Sequence, residues 1–213
     1  MKQGLGMHIA GIIENSNTQD ILETIKHFLN IENRKVSISE YGYFRNKETW
    51  NSYCSAINQT GTEILIIKIK FSDIEDALNF LPLDTLIIND YSEWAFAQNI
   101  ICNSKRSFKN LTIILNGDVI KTLNFSDEIC RVLRYGFNKD SNITTSSTGE
   151  PSISGRFLCY IRTGLVTANG RKIEPQEYVI NIDSTAVDPY NILAAASFAV
   201  LYDVNLNRGN AIS

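Results

Sequence analysis

The chain has 213 residues, 44% hydrophobic and 20% charged, with a formal net charge of −3. That is ordinary for a soluble globular protein large enough to bury a proper core. Its acids and bases are interspersed, so it lacks the basic stripe that neutralises phosphates, and no apolar run approaches the roughly 20 residues that span a bilayer; neither nucleic acid nor membrane is an expected partner.

The opening "MKQGLGMHIAGII" carries one lysine and a short apolar stretch, followed by acids and amides where a small-residue cleavage site would belong. It reads as the first strand, 7–13, of a cytoplasmic protein. "GIIENSNTQD" (11–20) then turns into a helix expected over 18–29. Further strands are expected at 36–39, 63–69, 85–88 and 111–115, and helices at 48–58, 74–80 and 94–105. Several strands are nearly continuous apolar runs, as in parallel sheets covered on both faces. Alternating strand and helix makes a parallel α/β sheet with right-handed crossovers the economical architecture, and it occupies 1–134. "CNSKRSFKN" (102–110) reads as a solvated helix end.

From about 135 to 187 the character changes. "RYGFNKDSNITTSSTGEPSISGRF" is rich in Ser, Thr, Asn and Gly, and the alternating stretches "RFLCYIRTGLV" and "EYVINI" flank "TANGRK", whose Asn-Gly signals a hairpin turn. A small antiparallel sheet is expected there. The closing segment, 188–204, is an Ala-rich apolar helix with Asp188 as N-cap and Pro189 in its first turn.

Cys54, Cys102, Cys130 and Cys159 are far apart without CxxC spacing, so buried free thiols are expected. His8 and His27, the two histidines, sit at no metal-ligand spacing, and no Ser-His-Asp or Cys-His arrangement is present. No metal site is expected.

This order of pieces resembles the central, ATP-binding domain of the Mur ligases, shared with folylpolyglutamate synthases and cyanophycin synthetase. The likeness spans nearly the whole chain. "RYGFNKDSNITTSS" is similar to the family's segment leading into its small sheet, "LNGD" (115–118) to its Leu-Asn-Ala-Asp turn, and "PYNILAAASFAV" to its closing helix. The resemblance implies a P-loop-like sheet flanked by helices, and a nucleotide site whose parts can be checked one by one.

The family's Gly-x-x-Gly-Lys-Thr window falls here on Ile13, Glu14, Asn15, Ser16, Asn17 and Thr18, and only Thr18 keeps its type. Glycine lets backbone N–H groups wrap the phosphates and lysine supplies the point charge. Helix-dipole attraction of roughly 0.3–1 kcal/mol does not replace that lysine. Asn15, Ser16, Asn17 and Thr18 are therefore a vestigial cradle, or an ordinary turn with Ser16 or Asn17 as cap. Where the family carries a magnesium-holding glutamate, the strand "EILIIKIKF" carries Lys68, read either as a replacement charge in the cleft or as a snorkelling strand-end lysine. "INDYSEW" (88–94) retains Asn89 of the third motif, with Glu93 for its aspartate and Trp94 for its histidine. For the lysine that the family carbamylates Lys105 can be offered, or it is simply a surface lysine. Asn191 matches the asparagine that approaches adenine, or is simply a polar residue of the first helical turn, while Val187 and Asp188 replace the family's His-Asn.

The resemblance also implies flanking N- and C-terminal domains, for which the expectation is absence. The favoured reading is a stand-alone, degenerate relative that binds a protein partner or a second copy without turnover, with no cofactor expected. Tyr41, Tyr43, Phe44 and Trp50 are candidate anchors. The alternative is the ATP- and magnesium-binding component of an acid–amino acid ligase completed by another chain. A third reading is a small-molecule sensor with Lys68 facing an anion.

Overall fold

The structure, a computed structural model, describes residues 6–44, 46–120, 129–145, 155–182, 188–208 and 212. Its strands are β1 (His8–Ile13), β2 (Val36–Glu40), β3 (Ile64–Ile69), β4 (Thr85–Ile88), β5 (Thr112–Asn116), β6 (Arg131–Tyr135), β7 (Ile143–Thr145), β8 (Arg156–Ile161), β9 (Leu165–Val166), β10 (Lys172–Ile173) and β11 (Gln176–Asn181). Its α-helices are α1 (Thr18–Ile31), α2 (Lys47–Gln59), α3 (Ile74–Phe80), α4 (Tyr91–Asn103) and α5 (Pro189–Leu201). Each strand and helix expected up to residue 115 is present, with ends moved by at most three residues.

Among the described residues one nine-stranded sheet runs β11-β8-β7-β6-β5-β4-β1-β3-β2. The seven strands from β2 to β7 are parallel, while β8 is antiparallel to both β7 and β11. The expected antiparallel region thus takes two forms. Its long strands, β8 and β11, extend the main sheet, and a separate two-stranded hairpin, β9–β10, forms around the Asn-Gly turn. Gly170 sits there at φ +80°, a backbone that glycine adopts without Cβ strain. The sequence reading had singled out neither β6 nor β7. In β6 two arginines break the apolar pattern, and β7 is only three residues long.

The apolar strands supply both layers because successive side chains point to opposite faces. Ala10, Ile12, Ile64, Ile66, Ile87 and Ile114 face a core closed by α1 and α5. Ile13, Leu65, Ile67, Leu86, Ile88 and Leu115 face a second core closed by α3, α4 and Trp50 of α2. Helix α1 contributes Ile21, Leu22, Ile25, Phe28 and Leu29, the i, i+3/i+4 stripe of a helix with one wet face. Helix α5 is buried without interruption from Asn191 to Leu201, which explains why its sequence is apolar on every side. At roughly 1.5–3 kcal/mol for each large aliphatic side chain removed from water, these two layers dominate the stabilisation. Cys130 and Cys159 are buried and Cys54 is half-buried, but Cys102 is exposed at the end of α4, against the expectation of buried thiols.

Candidate functional site

The strand order creates a crevice before any side chain is considered. Beyond β1 the chain enters α1, on the face of the first core; beyond β4 it enters α4, on the face of the second. Strands β1 and β4 are hydrogen-bonded neighbours, so the loops at their C-terminal ends diverge. A divergence of this kind is where open α/β sheets bind ligands. The structure brings Asn15, Ser16, Asn17 and Thr18, after β1, beside Asn89 and Glu93, after β4. Asn15 Nδ2 donates to Glu93 Oε1 at 3.4 Å across the gap.

The loop after β1 spends four of its own backbone donors. Glu14 N–H donates to the Ile69 carbonyl at 2.8 Å, Asn15 N–H to Thr18 Oγ1 at 2.8 Å, Asn17 N–H to Asn15 Oδ1 at 3.0 Å and Thr18 N–H to the Asn15 carbonyl at 3.3 Å. The Thr18 hydroxyl in turn lies 3.3 Å from the Ile13 carbonyl and 3.3 Å from Asn15 Oδ1. A phosphate cradle works because such N–H groups point outward, unpaired, at the start of a helix. Here the side chains of Asn15 and Thr18 take that place. Ser16 and Asn17 do not cap α1 as expected: Asn17 occupies the cap position without a side-chain capping bond, and the Ser16 hydroxyl lies 3.3 Å from Asn17 Oδ1.

Glu93 is buried and closes a capping box at the start of α4, with Asp90 accepting from Ser92 N–H and Glu93 Oε2 accepting from Asn89 and Asp90 N–H. Burial holds its carboxyl above the usual carboxylate range, partly offset by those N–H donors. Asp90 is held below its usual range, chiefly by the Ser92 hydroxyl. Asn89 accepts a short hydrogen bond from the Tyr135 hydroxyl through Oδ1, and its buried Nδ2 has no partner among the described residues. Burial pushes the Tyr135 hydroxyl well up.

Lys68 is not a free cation. Its Nζ lies 2.9 Å from Glu40 Oε1 and 3.5 Å from Glu14 Oε1, so two carboxylates neutralise it. The Glu40 hydrogen bond raises the Lys68 pKa and lowers that of Glu40. Trp94 is buried in the second core. Lys105 is exposed beyond the far end of α4, a 13-residue helix, about 20 Å from the capping box. Asn191 is buried in the first turn of α5, which Asp188 caps by accepting from Tyr190 N–H at 2.8 Å; Val187 lies outside the described residues. Of the four candidate anchors, Phe44 and Trp50 are core residues packed edge to face at 5.0 Å, Tyr41 packs against Phe80, and Tyr43 is 66% exposed.

One cluster at the crevice was not singled out. Asp118, from "LNGD", accepts Phe137 N–H at 2.6 Å, Asn138 N–H at 2.8 Å and the Tyr190 hydroxyl at 3.1 Å. It ties the end of β5 to the loop after β6 and to α5. Gly136 is required here: its φ is +144°, and a Cβ would lie 2.7 Å from Asp118 Oδ2. The motif itself was the available signal, an Asn-Gly-Asp turn at a strand end.

The fold and crevice define a P-loop-like α/β protein whose cradle is filled by its own side chains. No protein-family model and no curated protein sequence matches the chain. Solved structures do. MurF ligase from Thermotoga maritima in complex with ADP aligns over 98% of this chain and 49% of its own, at 13% identity and a TM-score of 0.61. A pseudomurein peptide ligase type C from Methanothermus fervidus aligns over 99% and 51%, at 14% identity and 0.60. The bifunctional folylpolyglutamate synthase/dihydrofolate synthase of Yersinia pestis, complexed with AMPPNP and Mn, aligns over 93% and 54%, at 9% identity and 0.54. The chain therefore has the fold found in Mur ligases and folylpolyglutamate synthases, as the sequence motifs implied, and spans about half the length of these structures. Among the described residues no helix is long and apolar enough to cross a membrane.

Proposed function

We propose that this chain acts by binding rather than by turnover: a cytoplasmic accessory protein on a Mur-ligase-like fold, engaging a protein partner or a second copy in cell-wall or related amide-ligase metabolism. One observation carries the reading. The N–H groups of Glu14, Asn15, Asn17 and Thr18 are already hydrogen-bonded within the chain. A triphosphate would have to displace Thr18 Oγ1 and Asn15 Oδ1 from them, and would meet the Glu14 carboxylate, with Lys68 already paired to Glu40 and Glu14. The residues present do not fit ATP with magnesium, and no catalytic step is derived through them. The solved relatives that bind ADP or AMPPNP lend the fold but not the cradle.

Calorimetry with Mg·ATP tests this directly. Binding that is absent or millimolar is expected; a micromolar Kd, about 8 kcal/mol of binding free energy, would overturn the reading and favour a ligase component completed by another chain.

A further inference from the structure

The opposite edge of the sheet, where the parallel strands begin, has a different character. The β9–β10 hairpin lies beside the starts of β1, β4, β5 and β6 and borders an open cavity of about 430 Å³ lined by His8, Asp84, Lys109, Thr112, Arg131 and Thr167, among others. That is the size of a small-molecule site. The hairpin is clamped in place: Ala168 N–H donates to the Leu201 carbonyl at 2.8 Å, and Arg171 and Asn169 both bond Asp203, each at 2.7 Å.

Arg131, the first residue of β6, is the group that calls for a ligand. It is half-buried, and its guanidinium donates through Nε and Nη2 to Thr112 Oγ1, at 3.0 and 2.7 Å, and through Nη1 to the Val166 carbonyl, at 2.6 Å. These bonds use three of its five N–H groups, and all go to neutral oxygens. Two N–H groups remain, and no carboxylate pairs with Arg131 among the described residues. Burial disfavours its charge and lowers its pKa, and only the Tyr202 hydroxyl acts in the opposite direction. Lys109 adds a second, exposed cation at the rim.

The acid in the cavity is engaged through one of its oxygens. Asp84 Oδ2 accepts Ile9 N–H at 2.8 Å and lies 3.6 Å from His8 Nδ1. The other ring nitrogen of His8 is 3.4 Å from Asn169 Oδ1, whose amide nitrogen is turned to Asp203. Both ring nitrogens thus face acceptors, and His8 is held above its usual pKa chiefly by Asp84, against burial and the nearby Arg34 charge. Two cations, reinforced by His8, face one acid whose Oδ2 is already bonded. We infer that this cavity binds a small organic oxyanion, a carboxylate or a phosphate, through the free edge of Arg131, with Lys109 at its entrance. The site lies across the sheet from the α1 loop and does not depend on the function proposed above.

The test uses the full chain, with sodium phosphate and sodium succinate as probes and sodium chloride at matched ionic strength as reference. Titration of the wild-type protein, followed by ¹⁵N NMR, should move the Arg131 Nε–H resonance saturably with at least one probe, and phosphate against succinate tells which oxyanion is preferred. R131Q should weaken that binding by about tenfold or more, because charge-assisted hydrogen bonds are lost. K109A, at an exposed position, should weaken it by a smaller factor, and K105A should leave it unchanged. An Arg131 signal that responds to neither probe beyond chloride would overturn the inference. So would anion-induced shifts confined to the amides of Asn15–Thr18, or a folded R131Q that binds like wild type. If R131Q does not fold, the wild-type titration and K109A still decide.

Discussion

The two edges of one sheet treat polar groups in opposite ways. At the C-terminal edge, where this fold diverges to make a crevice, four N–H groups of the α1 loop, the Glu93 carboxylate, the Lys68 ammonium and the Asp118 carboxylate each have partners within the chain, while the buried Asn89 Nδ2 is left without one among the described residues. At the N-terminal edge, Arg131 keeps two N–H groups unspent beside a cavity. A fold fixes where a crevice can open; the local side chains decide whether anything is left there to bind with. Each internal bond at the crevice stabilises the chain and removes a donor from potential ligands.

The contrast can be broken most forcefully at Asp118. D118A leaves two backbone N–H groups and the Tyr190 hydroxyl without their acceptor, and should cost about 2–3 kcal/mol in urea denaturation. A loss below about 0.5 kcal/mol would show that the C-terminal edge is not knit together as described. E93A removes one half of the α4 capping box and the bridge to Asn15, for an expected loss of about 1 kcal/mol. Its amide spectrum should change at Asn15–Thr18, and silence there would mean that the bridge across the crevice is not formed in solution.

The smallest effect belongs to the N-terminal edge and is visible only through pH. His8 has its folded pKa raised above the ordinary 6.5, so its contribution is fully present below that value and is lost as pH rises through the folded pKa. The ring is partly exposed, and the contribution should stay under about 1 kcal/mol. H8N should therefore melt below wild type at pH 5.5, and the gap should close as pH is raised from 6.5 past the folded value. A gap independent of pH would assign His8 a packing role against Tyr202 instead.

Much of this was legible in the chain. "ILIIKI" and "TLII" are buried on both faces and read as parallel strands because no polar alternation was needed. Pro189 and Asp188 marked the start of α5 because a fixed φ and a side-chain acceptor suit that turn in any context. The missing Gly-Lys could also be read directly, since a side chain that is not there cannot bind phosphate. Lys68 shows where reading stopped. It was placed on the right strand, but its partners are Glu40 at the end of β2 and Glu14 in the loop after β1. Asn15 and Thr18 replaced Ser16 and Asn17 as the residues that close the loop because hydrogen-bond geometry, not residue type, chose among four polar neighbours.

Local chemistry, then, settled the elements, their order and the absence of a Gly-Lys pair from the α1 loop, because propensity, turn residues and residue identity act over a few positions. Folding alone decided that Arg131 would meet Thr112 and the hairpin without meeting an acid, and that Glu93 would reach Asn15 across the crevice. Those contacts join residues 19 to 78 positions apart, and such pairings exist only once the sheet has set its strand order.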